Sequence, residues 1–359
     1  MKKILFLAPY PLDEAPSQRF RFEHFLKFME ENGFQWDFQP FLSTNTWNIL
    51  YQSGNGPQKI MGIISGFCRR FLLLFRLRPY DYVFIHREAT PLGPPIVEYL
   101  ISQVLGKKII YDFDDAIWLS DQSGESWLWK TLKWRSKVSS ICKWSWKVST
   151  GNEFLADYAK RCCERVVILP TIVNTEIHQI NNSPVKTVSP IPTIGWTGSH
   201  STLSYLEEIL PVLQEIEQKV DFKFIVIANR DPKLPLKNYQ FIQWKKELEI
   251  DDLSQLDIGV MPLTDSEWSR GKCGFKLIQY LALGIPAIAS PVGVNGEIVK
   301  HGETGFIATT PNEWKTTLMK LIESPDLRNS LGQNGRMLII NHFSVQSQKE
   351  VFFGLLSQH

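Results

Sequence analysis

Two α/β domains, each built on a doubly wound parallel sheet, are what this sequence predicts, and three observations predict them. The chain has 359 residues, enough for two domains that each bury a core of their own. Short continuous apolar runs recur along it, as at residues 4–8, 82–85, 224–228 and 287–289; such runs mark strands covered on both faces of a parallel sheet. Stretches of helical periodicity separate them, giving the alternation of βαβ units.

Composition narrows the function classes. Hydrophobic residues make up 43% of the chain and charged residues 21%, a globular balance. A net charge of +2 gives no global attraction to nucleic acid, and no nucleic-acid partner is expected. The five cysteines, Cys68, Cys142, Cys162, Cys163 and Cys273, lack C-x-x-C spacing and a histidine cluster, so no zinc site and no disulfide framework is expected and a reducing cytoplasm is the expected home. The run after Lys2 and Lys3 is too short for a signal peptide and reads as the first strand. Arg69 and Arg70 interrupt the best candidate for the apolar stretch of about 18 to 20 residues that a membrane span needs.

In the first half, the run at residues 4–8 is closed by Pro9 and Pro11 and followed by a loop holding Asp13, Arg19 and Arg21. Those two arginines read either as contacts to a phosphate or acidic acceptor or as a solvated helix start. A helix follows through Phe22, Phe25, Leu26 and Met29. The strand at 82–85 runs into His86, Arg87 and Glu88, and the strand at 108–111 into Asp112, Asp114 and Asp115. Open α/β sheets place ligand sites at such carboxyl ends, which makes Glu88, Asp114 and Asp115 the candidate site carboxylates. A helix cap is the second reading of Asp115; a D-F-D-D run is too weak a pattern to predict bound Mg²⁺, and no metal is expected. Residues 60–78 and 127–146 mix aromatic, aliphatic and basic side chains, so they read either as amphipathic helices lying on an anionic membrane surface or as sheet-covering helices with cationic outer faces. A strand at 146–149, a helix at 152–159 and a strand at 166–169 complete this half. The boundary falls near residue 170, and residues 181–192 form a polar, proline-bearing lead-in.

The second half opens with a strand at 193–196. The turn after it offers the Gly198 amide and the Ser199 or His200 side chain to a ligand, with Ser201 and Thr202 read as helix caps. Arg230 follows the strand at 224–228. Trp244 ends a strand at 241–244 and lines a nucleobase or simply half-buries on the sheet. The strand at 258–263 feeds a loop of small and basic residues, Ser269, Arg270, Gly271, Lys272, Cys273 and Gly274, which runs into a helix with Phe275, Ile278, Leu281 and Ala282 on one face, stopping at Gly284 and Pro286. Unpaired amides at a helix start, glycines that let the chain come close, and Arg270, Lys272 and Lys276 beside them make a diphosphate cradle. Cys273 has no base beside it and reads as a small packed residue.

Residues 265–306 resemble the donor-binding signature of retaining GT-B glycosyltransferases of family 4, on the later parts Gln279 to Pro286, Ser290 to Glu297 and Gly302-Glu303-Thr304-Gly305-Phe306. The match departs at both acids of the family's glutamate pair, which fall at Gly271 and Gln279. Gln279 still offers the ribose an amide oxygen, whereas Gly271 offers no side chain, and Asp265 or Glu267 stands near enough to substitute. The segments R-E-A-T-P-L-G-P-P (from Arg87) and Y-D-F-D-D-A-I-W (from Tyr111) resemble a related group of the same family. The resemblance implies two doubly wound Rossmann-like domains facing across a cleft: 1–170 on the acceptor side, 171–340 binding the donor, and 341–359 as a helix crossing back. It further implies transfer of a sugar, with retention and without metal or cofactor, from a UDP- or GDP-linked nucleotide sugar to a glycan or lipid-linked acceptor in cell-surface polysaccharide assembly. In that picture Lys272, Lys276 and Gly274 neutralise the leaving diphosphate, while Arg230, Trp244, Cys273, Phe275 and Gln279 line the donor. Asp114, Asp115 and Glu88 orient hydroxyls, and the basic aromatic stretches at 60–78 and 127–146, on their first reading, make an anionic membrane surface a partner. The alternative is a nucleotide-sugar-binding scaffold that has lost activity along with the two acids.

Overall fold

The computed structural model describes residues 2–50, 52–120, 126–179 and 191–357. The lead-in at residues 181–190 lies outside them. Its contacts divide the chain into two units, Met1–Thr171 with Gln348–His359, and Ile172–Ser347.

Unit 1 holds β1 (Lys3–Ala8), β2 (Gln35–Pro40), β3 (Tyr82–His86), β4 (Lys108–Phe113), β5 (Lys147–Thr150) and β6 (Val166–Ile168), all parallel, in the order β2-β1-β3-β4-β5-β6. Its helices include α1 (Leu26–Glu31), α2 (Gly56–Leu74), α3 (Ile96–Tyr99), α4 (Trp127–Lys133), α5 (Lys137–Trp144) and α6 (Glu153–Lys160). Beyond Lys3 every residue of β1 is buried, as a continuous apolar run at the centre of a covered sheet must be. β2 is different: its Q-W-D-F-Q-P sequence is nowhere fully buried, and pairing with β1 at the sheet edge, not hydrophobicity, makes it a strand. The core stacks Phe6 on Phe22 at 5.1 Å and sets Phe6 beside Phe84 at 5.0 Å. The chain's last segment closes it, with Phe352 stacked on Phe25 at 4.3 Å and Lys147 Nζ donating to the Gly354 carbonyl at 2.6 Å.

Unit 2 holds β7 (Thr193–Gly198), β8 (Lys223–Ala228), β9 (Tyr239–Gln243), β10 (Ile258–Met261), β11 (Ala287–Ala289) and β12 (Gly305–Ile307), parallel in the order β12-β11-β10-β7-β8-β9. Around them run α7 (Leu210–Ile216), α8 (Glu267–Arg270), α9 (Phe275–Ala282), α10 (Pro311–Glu323) and α11 (Pro325–His342), and α12 (Val345–Gly354) leads into unit 1's last segment. Ile194, Val226, Val260 and Ile288 of the strands pack with Leu213, Ile216, Leu318 and Leu321 of the helices. α10 starts with a full capping box: Thr310 accepts from the Glu313 amide and Glu313 accepts from Thr310.

In both sheets the chain winds to one side of its first strand and then to the other, placing switch points between β1 and β3 and between β7 and β10. These are where ligands bind in doubly wound folds. Several expected elements differ locally. The 127–146 stretch is two helices, broken at Trp134, whose φ of 47° no helix interior accepts. His200–Glu208 is a 3-10 helix with Ser199, not Ser201 or Thr202, at its N-cap position. β9 ends before Trp244, which is half-buried just beyond it. Among the described residues no helix is long and apolar enough to cross a membrane.

Candidate functional site

The unit 2 switch point is made by the turns after β7 and β10. Ser266 caps α8 by accepting from the Ser269 amide at 3.1 Å, and the chain then turns through Gly271–Gly274 into α9. Gly274 holds φ +66° at the N-cap of α9, a conformation that favours glycine, and a Cβ there would lie 2.2 Å from Ile298 Cδ1. Across from it, a Cβ on Gly198 would lie 2.5 Å from the Trp196 ring and 2.9 Å from Lys276 Cε. The α9 lysine is thus laid against the end of β7, with Nζ 5.1 Å from the centre of the Trp196 ring. Lys272 Nζ sits 5.3 Å over Trp268. Below the site Tyr280 accepts from the Thr197 amide at 2.9 Å, and burial pushes its hydroxyl pKa up.

The neighbouring loops are tied to this point. The His200 amide donates to Asn229 Oδ1 at 2.7 Å, and the Asn229 side chain meets His200 Nδ1 at 3.0 Å. Ser199 and Ser201 hydroxyls share a bond of 2.8 Å, and Tyr205 bonds Ser269 at 3.0 Å. Gly198, Ser199, His200, Arg230, Gly271, Lys272, Cys273, Gly274, Phe275 and Lys276 therefore gather around the carboxyl ends of β7, β8 and β10. Gly271 and Cys273 are buried and Arg230 is exposed. Trp244 follows β9, its amide donating to the carbonyl of Ala228, the last residue of β8, at 2.9 Å.

Two expected donor contacts take other roles. Arg270 grips Asp265 through Nε at 2.7 Å and Nη2 at 2.8 Å, so its fork holds a surface carboxylate. Gln279 is only 2% exposed, and its side-chain nitrogen has no partner among the described residues. It lies among the buried residues of α9.

The unit 1 switch point is a lattice of paired charges. β3 and β4 run in register with His86 opposite Asp112, so the residues that follow each strand meet. Arg87 donates to Asp114 at 2.7 Å and to Asp115 at 2.9 Å. It holds φ +59° in a tight turn in which the Glu88 amide donates to the His86 carbonyl at 2.7 Å. Burial would depress the guanidinium's pKa, but the two carboxylates outweigh it and raise it. Burial likewise works against Asp114, and Arg87 with His86 still holds it below the ordinary carboxylate range. Glu88 pairs with the buried Lys137 at 2.6 Å, whose ammonium also donates to the Thr90 carbonyl at 2.8 Å. Asp115 is a partner of Arg87, and among the described residues no helix starts at it.

Arg21, expected at the acceptor, is instead 1% exposed. It ion-pairs with Asp112 and donates to Ser149 at 3.2 Å and to the Leu169 carbonyl. Burial pushes the Asp112 carboxyl up, yet Arg21 and the His86 ring, at 2.8 Å, outweigh it and hold it well below its usual range. At 1% exposure the Arg21 guanidinium is engaged inside unit 1. Arg19 pairs with Asp13 at 3.5 Å and stacks over Phe20 at 4.9 Å. Reading the sequence missed Arg87, Lys137 and Asn229 as organisers. The adjacency of β3 and β4 was the one available signal for Arg87, because it sets a cation beside the two acids.

Residues 191–324 match the family model described as Glycosyl transferases group 1. The chain is 22% identical over 157 residues to Glycosyltransferase 1 domain-containing protein 1 of Xenopus tropicalis, covering 42% of this chain and 45% of that protein. It spans less than half the length of the first curated relatives it matches. Among solved structures it is similar to a sucrose-phosphate synthase from Thermosynechococcus elongatus, with a TM-score of 0.72 at 14% identity over 99% of both chains. It is also similar to HepE of Anabaena, solved in complex with UDP-glucose, with a TM-score of 0.68 at 13% identity over 100% of both. The chain therefore carries the GT-B fold, and its residues 191–324 match the glycosyl transferases group 1 model.

Proposed function

We propose that this protein is a retaining glycosyltransferase, moving a sugar from a UDP- or GDP-linked donor to a hydroxyl of a glycan or lipid-linked acceptor in cell-surface polysaccharide assembly. One observation carries the reading: α9 starts from a glycine cap at the unit 2 switch point, and its Lys276 is pressed against Gly198. The amides there lack helical partners and favour negative charge. As the bond from the anomeric carbon to the diphosphate oxygen breaks, its electron pair goes to the diphosphate, and Lys272 and Lys276 stabilise that growing charge. The acceptor oxygen bonds the same face of the sugar, and its proton passes to the departing phosphate oxygen. Asp114, Asp115 and Glu88, held in place by Arg87 and Lys137, accept hydrogen bonds from sugar hydroxyls.

A second reading, a nucleotide-sugar-binding protein without turnover, is favoured by the absent side chain at Gly271 and the burial of Gln279. Calorimetry with UDP- and GDP-sugars, run beside an assay for released nucleoside diphosphate, separates the two. Release that depends on Lys276 supports transfer, and binding without release across acceptors supports the second reading. Absence of both overturns the site.

A further inference from the structure

Helix α2 of unit 1 is built inside out. Its inward face carries Arg70, fully buried, which donates to the Ala89 carbonyl at 2.8 Å, the Gln39 carbonyl at 2.9 Å and the Ala8 carbonyl at 3.0 Å. Arg69 turns the same way toward the Phe41 carbonyl, at 2.6 Å. The outward face, at helical spacing, carries Ile60, Ile64, Phe67, Phe71 and Phe75, with Met61 and Leu72 beside them; Ile60, Met61, Phe71, Leu72 and Phe75 are 57–78% exposed. No charged side chain falls on that face. The arrangement reverses what a solvated helix does, since charge normally faces water and apolar groups the core.

The exposed face does not end with this helix. α2 packs on α3, which bares Ile96 and Tyr99. The Leu132 carbonyl of α4 accepts from the Gly93 amide just ahead of α3 at 2.7 Å, which brings in Trp127 and Trp129, 78% and 50% exposed. A continuous apolar and aromatic surface of this kind marks an interaction site. Its charge surroundings say with what. No Asp or Glu occurs between residues 38 and 80, where Lys59, Arg69, Arg70, Arg76 and Arg78 stand, nor between 126 and 152, which hold Lys130, Lys133, Arg135, Lys137, Lys143 and Lys147. Of these, Arg76, Arg78, Lys133 and Lys143 are exposed at the rim.

We infer that α2, α3 and α4 together form a docking surface for an anionic phospholipid bilayer, with the apolar face entering the headgroup boundary and the basic rim binding lipid phosphates. Exposed tryptophan and tyrosine with flanking arginine and lysine match the interfacial zone of a bilayer, where apolar area and attraction to anionic lipid add. The absence of acids from α2 and α4, with Glu98 of α3 buried, distinguishes this surface from one made for a basic or self-complementary protein partner. The inference is independent of sugar transfer, because its readout is vesicle binding alone.

The test is flotation of the full-length protein with vesicles of phosphatidylcholine alone and of phosphatidylcholine with phosphatidylglycerol. Binding is expected to the anionic vesicles only, weakened by salt, and reduced about tenfold or more in Phe71→Ser/Phe75→Ser. The rim double variant Arg76→Glu/Arg78→Glu should reduce it by a similar factor while leaving the apolar face intact. Both pairs are exposed, and an unchanged circular dichroism melt confirms that the fold survives. Wild-type protein that stays out of the floating fraction at low salt overturns the inference, as does binding by both double variants at the wild-type level. A chain that dimerises through this face and ignores the vesicles also overturns it.

Discussion

The two switch points share a plan and differ in what fills them. In unit 1, the ends of β3 and β4 carry cations and anions already matched inside the protein: Arg21 with Asp112, Arg87 with Asp114 and Asp115, Lys137 with Glu88. In unit 2, the ends of β7 and β10 carry glycines and two lysines laid over indole rings, and Asp265 after β10 is held by Arg270. A matched lattice presents oriented oxygens with little net charge, suited to hydroxyls. A glycine-rich helix start beside lysines suits a ligand that brings its own negative charge. One architecture thus makes two chemically opposite sites by changing which side chains follow the strands.

Breaking one partner in each site sharpens the contrast. Arg21→Met should cost about 3 to 5 kcal/mol of stability, because it strands the Asp112 charge in the core. Urea unfolding measures this, and a loss near zero would mean that the lattice is not what holds unit 1. Lys276→Ala should leave the urea midpoint unchanged while lowering kcat/KM for transfer about a hundredfold, the scale for losing one preorganised donor to a developing anion. Unaltered kinetics would remove it from the site. Gly274→Ala combines a positive φ with a collision at Ile298, so a stability loss of about 1 to 2 kcal/mol and weaker nucleotide binding are expected together. A change in stability alone would make the glycine architectural.

These contrasts also show what the sequence could and could not reveal. The apolar runs at β1, β3, β8 and β10 announced their strands, because burial on both faces leaves no choice of residue. β2 did not, since an edge strand of glutamine, aspartate and proline is specified by its neighbour and not by its own pattern. The glycines and lysines before α9 were legible because their spacing is local. The lattice around Asp112 was not: Arg21 lies 91 residues from its partner, and Arg87 lies 27 from Asp114. In α2 the helical period was visible but the inward face was not, because three backbone carbonyls satisfy Arg70 better than solvent would.

The smallest expected effect concerns the loop after β1, which borders the unit 1 lattice. Gln18, fully buried, accepts from the Tyr10 amide at 2.9 Å and donates to Glu23 at 3.1 Å, and Glu23 accepts from the Asp13 amide at 2.8 Å. Burial pushes the Glu23 carboxyl from 4.5 up to about 7, in spite of these bonds. A raised folded pKa means that the folded chain holds a proton the unfolded chain has released. The stability this contributes is fully present below pH 4.5 and is lost as pH rises through about 7. Glu23→Gln, which mimics the protonated form, should therefore flatten the stability slope across that window and change little at its acidic end. Urea midpoints measured across the interval decide it: an equal slope in wild type and variant would show that Glu23 titrates as an ordinary surface acid, and that unit 1 keeps only its matched charges out of solvent.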